Sequence, residues 1–467
     1  PYTTLFRSLG QQTFSPPAEL FAGLSDVKDC FHRVKQPRWL SKYFCLMPIE
    51  ARHVGLTGQV VDGLKLRSQD LVYPMPGSLC MGFSWSLFFA QRINEVQMEH
   101  VPSLASSKLI NDRSGPAVFS HDSSSHLKRF VYVDNLGVMS NDRDAVVKGL
   151  EELSEQFTGQ SLLLHPGEVQ HERIKALGVE LDGRDLVTRV SPARFHRVRQ
   201  GLRFLLQRNR CTGRALEILV GHCTYCGLVN RCSLSIFHSV YKFIKKNYSQ
   251  TCALWKSVAA ELRAFAGIMP ALRADWSRPW NGEVVASDAS EEGFGVCSRA
   301  WPASLAAQVG RTAERDRFKR AGGHNARESA LTSAGFVRDD VTGRWLSGDL
   351  ADEDYLEASG WKLDEKFPEV PATELTDHEW FTVRQGQWRK AEHIVHLEAR
   401  SLVKAMEVIA QDRNMTDCRQ LLLVDSMSSA LAFGRCRSRN YKMLRQIRKF
   451  CIFNRVQHWF LSQMDPL

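Results

Sequence analysis

The run Phe130-Val131-Tyr132-Val133-Asp134-Asn135-Leu136-Gly137 constrains this chain more than any other. Two apolar stretches flank an Asp-Asn pair, which predicts a β-hairpin with a carboxylate at its tip. An acidic residue held at a tight turn between buried strands is a place to hold a metal ion. Far upstream, Ser25-Asp26-Val27-Lys28-Asp29-Cys30-Phe31 supplies a second carboxylate, Asp26, able to meet the first across a sheet.

With 467 residues the chain is long enough for several domains with sizeable cores. Its 43% hydrophobic and 24% charged residues match ordinary globular composition and exclude fibrous or disordered classes. No apolar run reaches the roughly 18 residues of a membrane span, and the first residues lack a signal-peptide pattern. Twelve cysteines without a secretory signal read as reduced thiols of an intracellular protein with no membrane partner. His222-Cys223-x-x-Cys226, with Cys232 beyond, has zinc-like spacing. No second Cys/His pair follows at zinc-finger distance, so these cysteines are read as small core residues of an apolar helix.

Charge is unevenly spread. Nine arginines fall between Arg184 and Arg214. Between Asp349 and Glu379, eleven acidic residues stand against Lys362 and Lys366, a net of −9 that leaves +19 on the rest of a chain totalling +10. That surplus suits a polyanion partner. Phe195, Val198, Leu202, Leu205 and Leu206 interleave with the arginines at helical spacing, which predicts a basic amphipathic helix.

Further segments order the chain. Pro1 to Ser8 looks like the translation of a sequencing-adapter oligonucleotide and is expected to be a scar on a fragment. Ser84 to Val96 reads as a buried helix, Leu104 to Ser125 as a Ser-rich loop, Asp144 to Phe157 as a polar-faced helix, and Ile174 to Leu181 as a strand. Ser191 to about Ala274 reads as mostly helical, with a second α/β region from Glu283.

Read together, these blocks resemble the palm motifs of retroelement reverse transcriptases, most closely DIRS-like and related elements. Asp26 and Phe31 resemble the first metal-binding block, with the aromatic in the ribose-gating position. Met81-Gly82-Phe83-Ser84 resembles the block that positions template and nucleotide. Tyr132-Val133-Asp134-Asn135 resembles the Tyr-x-Asp-Asp block, and Ala176-Leu177-Gly178 the primer-gripping hairpin. The resemblance implies Asp26 and Asp134 as catalytic metal ligands, Asn135 as a weaker third ligand, and Phe31, Gly82 and Tyr132 as nucleotide-binding residues. An amide oxygen in place of the second Asp brings no charge to balance the ion.

A second set follows. Val284-Val285-Ala286-Ser287-Asp288-Ala289-Ser290 runs into Gly293-Phe294-Gly295-Val296. His396-Leu397-Glu398 opens a helix, and Leu421-Leu422-Leu423-Val424-Asp425 is a β-run ending in Asp. Asp288, Glu398 and Asp425 resemble the carboxylates of an RNase H domain, where divalent ions activate water. His396 is read as a core or capping residue, and Asp465 as the acidic residue nearest the family's fourth ligand.

The expected architecture is therefore α+β. A palm with partial fingers spans 9–183 and a basic helical thumb or connection 184–280. An RNase H-like α/β domain spans 281–467, with an acidic surface insertion at about 301–377. By resemblance the chain is an RNA-directed DNA polymerase with RNase H activity. It would use Mg²⁺ or Mn²⁺ and act on an RNA template, a DNA primer, dNTPs and an RNA–DNA hybrid. Arg194, Arg197, Arg199 and Arg203 would grip the nucleic-acid backbone. Two alternatives stand beside this reading: an inactive remnant that still binds nucleic acid, and RNase H activity alone.

Overall fold

The computed structural model describes residues 13–14, 19–111, 118–119, 127–320, 331–332, 336–338, 345–347, 360–376, 379–453 and 458–463. The adapter-like residues 1–8 and Asp465 lie outside them. The chain forms two compact units, one of Ser15–Asn111 with Ala117–Leu186, the other chiefly Val187–Leu467.

The N-terminal unit is built on a five-stranded sheet. Its strands are β1 (Phe21–Asp26), β2 (Lys108–Leu109), β3 (Lys128–Tyr132), β4 (Asn135–Ser140) and β5 (Glu168–Gln170), in the order β5-β1-β4-β3-β2. All pairings are antiparallel except β2 with β3. Helices α1 (Ser86–Glu99) and α2 (Arg143–Gly159) supply buried faces, Ala90 and Met98 from α1 and Val146, Leu153 and Phe157 from α2. Asp142 caps α2, its carboxylate accepting from the N–H groups of Asp144 and Ala145 at 2.9 and 3.3 Å. Gly137 lies opposite Phe130, and a Cβ there would come within 2.0 Å of the Phe130 ring. Glycine is what lets the ring lie over its paired strand.

Two local expectations change. The helix expected from Ser84 begins at Ser86 and is buried on one face only, with Leu87, Phe88 and Phe89 each at least 40% exposed. The segment Ile174 to Leu181, a single strand by its pattern but a hairpin by resemblance, is a hairpin, β6 (Ile174–Ala176) against β7 (Val179–Asp182). It turns at Leu177 and Gly178, with φ of 50° and 78°. Paired positive φ values give a tight two-residue turn matched to strand twist.

The C-terminal unit begins with helices α3 (Pro192–Arg208), α4 (Gly213–Gly227), α5 (Ser239–Lys246) and α6 (Lys256–Ile268), which pack on one another. Cys223 and Cys226 lie buried on α4 beside Leu216 and Val220, as core residues. Their five-stranded neighbour in sequence contains β8 (Glu283–Ala289), β9 (Gly293–Ala300), β10 (Phe381–Gln387), β11 (Arg419–Val424) and β12 (His458–Gln463). The order is β10-β9-β8-β11-β12, antiparallel on the β8–β9–β10 side and parallel from β8 through β12.

Every residue of β11 is buried, as a continuous apolar run in a strand covered on both faces requires. Its side chains alternate between two cores. Leu422 and Val424 face α7 (Ile394–Gln411), α8 (Met427–Arg435) and α9 (Tyr441–Phe453). Leu421 and Leu423 join Val284, Trp301, Ala306, Val309 and Val370. Trp301 and Val370, at the two ends of the segment expected as a surface insertion, thus lie in a core, while 321–330, 333–335, 339–344 and 348–359 fall outside the described residues. The first part of that segment includes the helix Ala303–Arg311, which covers the otherwise open face of the sheet.

The helices before the sheet are also joined to α9 by charge. Glu261 on α6 accepts the N–H groups of His238, Ser239 and Val240 at 2.9–3.0 Å, at the start of α5. Arg448 on α9 donates to the same carboxylate at 3.0 Å and to the Ser235 carbonyl at 2.9 Å.

Candidate active site

The N-terminal carboxylates meet at one end of the central strands. Asp26 ends β1 and lies opposite Asn135, the first residue of β4. Asp134 sits in the β3–β4 turn. The Val27 N–H donates to the Asp134 carbonyl at 2.9 Å, and the His165 N–H to the Asp26 carbonyl at 2.8 Å. Burial pushes the Asp26 carboxyl up from its ordinary value, the Asp134 charge adds to this, and His165 opposes it. Two carboxylates held this close repel, and a cation between them would relieve that repulsion.

The hairpin tip differs from its expected form. Val133 and Asp134 make the turn, and Asn135 already pairs with Tyr132 on the return strand. Val133 takes φ +56°, a strained state for a β-branched residue. Helix α1 holds it there. Gln91 Oε1 accepts the Val133 N–H at 2.7 Å, and Asn94 Nδ2 donates to the Val133 carbonyl at 2.6 Å. Asn135 Nδ2 donates to Asp134 Oδ1 at 2.9 Å, fixing the neighbouring carboxylate. The roles of Gln91 and Asn94 cannot be read from the local pattern around Val133, because their partner lies about forty positions away in sequence. The available signal was a polar residue at Asn94 on the Ala90–Asn94–Met98 face, where apolar residues belong.

Phe31 lies half-buried on a single helical turn, Cys30–Arg33, against the same core. Tyr132, half-buried, ends β3. Gly82 is exposed before α1 at φ +96°, with open space where a Cβ would project. Its backbone angle, and no close approach within the chain, explains the glycine. Met81, Trp85 and Phe88 are exposed around it at 69%, 57% and 48%.

The second set converges at one end of the central strands of the C-terminal sheet. Ser287 pairs with Val424 in the parallel β8–β11 ladder, so Asp288 and Asp425 emerge side by side. Glu398 enters from α7, where Ser401 Oγ donates to the Asp288 carbonyl at 2.7 Å. Burial pushes the Asp425 carboxyl up, and the charges of Asp288 and then Glu398 add to it. Glu398 Oε2 is buried with no hydrogen-bond partner. A cleft of about 690 Å³ flanks Asp288, walled by Gly295, Thr382 and Gln385. His396 lies in the first turn of α7, and His393 is the capping residue in its place. Both sets offer hard oxygen donors with surplus negative charge, which fits a divalent cation such as Mg²⁺ or Mn²⁺.

The predicted arginines line α3. Arg197, Arg199 and Arg203 are exposed. Arg194 instead stacks on the Tyr225 ring of α4, its guanidinium carbon 4.0 Å from the centroid. A cavity of about 500 Å³ between α3 and α4 carries Arg197, Arg208 and Arg210 beside Phe204 and Ile218.

No family model and no curated protein matches the chain. Among solved structures it is similar to the foamy viral protease-reverse transcriptase in complex with RNA/DNA hybrid, at 10% identity and TM-score 0.36, over 98% of this chain and 66% of that one. Two further structures of foamy viral protease-reverse transcriptase are similar. One, termed dRH, is in complex with dsDNA (10% identity, TM-score 0.39, 98% of this chain, 60% of that chain). The other, also with dsDNA, has 8% identity and TM-score 0.38 over 98% of this chain and 70% of that chain. The chain thus spans 60 to 70% of the length of the structures it resembles.

Proposed function

We propose that this chain is a retroelement reverse transcriptase with RNase H activity, of DIRS-like or related type. One observation carries the reading: two separate carboxylate sets, each at the ends of central strands, each with a member whose proton affinity is raised by burial and then by its like-charged neighbours. Such paired acids suit two-metal phosphoryl transfer, in which bound divalent ions supply positive charge to the attacking and leaving oxygens. Asp26 and Asp134 would hold the ions for polymerisation, and Asp288, Glu398 and Asp425 those for cleavage of RNA in a hybrid. Phe31, Gly82 and Tyr132 would border the incoming nucleotide. Arg197, Arg199 and Arg203 would contact the template–primer backbone, making affinity fall steeply with salt.

A second reading, RNase H activity alone, is favoured by Asn135, whose amide brings no charge to the polymerase pair. Primer extension on an RNA template with Mg²⁺ or Mn²⁺, run beside hybrid cleavage, separates the two. Extension that disappears in Asp134→Ala supports the polymerase. Hybrid cleavage without any extension supports the second reading. Cleavage unchanged in Asp288→Ala overturns the RNase H assignment in both.

A further inference from the structure

Cys232, Cys436 and Cys451 are distant in sequence and meet in the core of the C-terminal unit. Their sulfurs all lie within 4.8 Å of one another, with Cys232 and Cys436 Sγ 3.9 Å apart. The three residues are 8%, 7% and 6% exposed. Cys232 comes from the 3₁₀ turn Arg231–Ile236, Cys436 from the left-handed residue that ends α8, and Cys451 from α9. Zinc–thiolate bonds of about 2.3 Å place two sulfurs of a tetrahedral site about 3.8 Å apart, which matches the observed edge.

Two further features surround the sulfurs. Arg231, next to Cys232 in sequence, is within electrostatic reach of Cys436 and Cys232 as well as of Arg437 and Arg315, and its Nε is buried without a hydrogen-bond partner. A cavity of about 350 Å³ reaches Cys232 and Cys451, with Ser235, Glu261 and Arg448 on its walls. A positive group thus stands beside the sulfurs, and there is room for a small ligand.

We propose that Cys232, Cys436 and Cys451 form a zinc site of three thiolates, with a fourth position open to water from the adjoining cavity. Binding converts three thiols into three thiolates and releases three protons. The resulting zinc–thiolate group carries one net negative charge, which Arg231 offsets. Each thiol must give up its proton to bind the ion, so loading strengthens as pH rises. Soft thiolates select zinc over magnesium, which makes this site chemically separate from the carboxylate sets and independent of the proposed activity. It would fasten the Arg231–Ile236 turn to both helices that follow β11.

The test uses the full chain, purified reduced and without chelator. Metal analysis is expected to find one zinc per chain. Cadmium added to the stripped protein is expected to raise an ultraviolet thiolate-to-metal band that saturates at one equivalent. Cys436→Ala and Cys451→Ala should lose both signals, while Cys223→Ala keeps them. A wild-type chain that shows no cadmium band overturns the site without requiring any variant to fold. A band undiminished in Cys436→Ala also overturns it.

Discussion

Asn135 donates its side-chain N–H to Asp134 at 2.9 Å, so the residue beside the turn carboxylate supports it where a second carboxylate would repel it. Asn135→Asp removes that hydrogen bond and puts a third negative charge between Asp134 and Asp26. Without divalent ions the variant should lose about 1 kcal/mol of stability. With saturating Mg²⁺ it should recover more than the wild type gains. Calorimetry with and without MgCl₂ reads the difference, and equal Mg²⁺ gains in both proteins would count against an ion at this pair.

Asp425 gives a pH-dependent test of the second set. Its folded carboxyl is raised above the ordinary 3.8, so the folded chain keeps this proton to higher pH than the unfolded chain. Stability therefore falls as pH rises through that window, and the cost persists at neutral pH. Asp425→Asn should stabilise the apo protein by up to about 1 kcal/mol near neutrality. The gain should vanish as the medium is acidified below the ordinary carboxyl value. Denaturation midpoints across pH check both halves, and a gain independent of pH would refute the assignment of cause.

The clamp on Val133 is testable without activity. Asn94→Ala leaves the Val133 carbonyl without its donor, and should cost about 1–3 kcal/mol in urea unfolding. Amide exchange at Val133 and Asn135 should quicken. Leu87→Ala, on the exposed face of the same helix, should stay within about 0.5 kcal/mol of wild type. Similar losses in the two variants would mean that α1 as a whole, and not its Asn94 contact, supports the hairpin.

Among the arginines, exposure predicts a division of labour. Replacing Arg197, Arg199 or Arg203 by Gln should each lower the salt dependence of nucleic-acid binding by close to one unit of log–log slope. Arg194→Gln should leave the slope nearly unchanged and instead cost about 0.5–2 kcal/mol of stability, through the lost stack on Tyr225. Filter binding over a salt series and thermal melts give the two readouts.

What could be read in sequence followed local chemistry. The apolar runs around Asp134 and before Asp425 encode strands that end in carboxylates, and the helical spacing of Val198, Leu202 and Leu205 encodes α3. What could not be read depended on partners far along the chain. Val133 enters its strained turn because Gln91 and Asn94 hold it, which shifts the tip by one residue from the Asp-Asn pair. The helix after Trp301 is buried because one face of the C-terminal sheet is otherwise open. Cys232 looks like an appendage of His222-Cys223-x-x-Cys226, yet it turns away to meet sulfurs more than two hundred positions later.

The Glu261 carboxylate, shared between the start of α5 and Arg448, ties the helices before the sheet to α9, so they are expected to melt together. A piece cut to begin at residue 281 would keep Arg448 but lose Glu261 and the Ser235 carbonyl. Such a piece is expected to be a poor stand-in for the sheet's behaviour in the whole chain, because a boundary drawn by motif cuts through a hydrogen-bonded seam that folding treats as one.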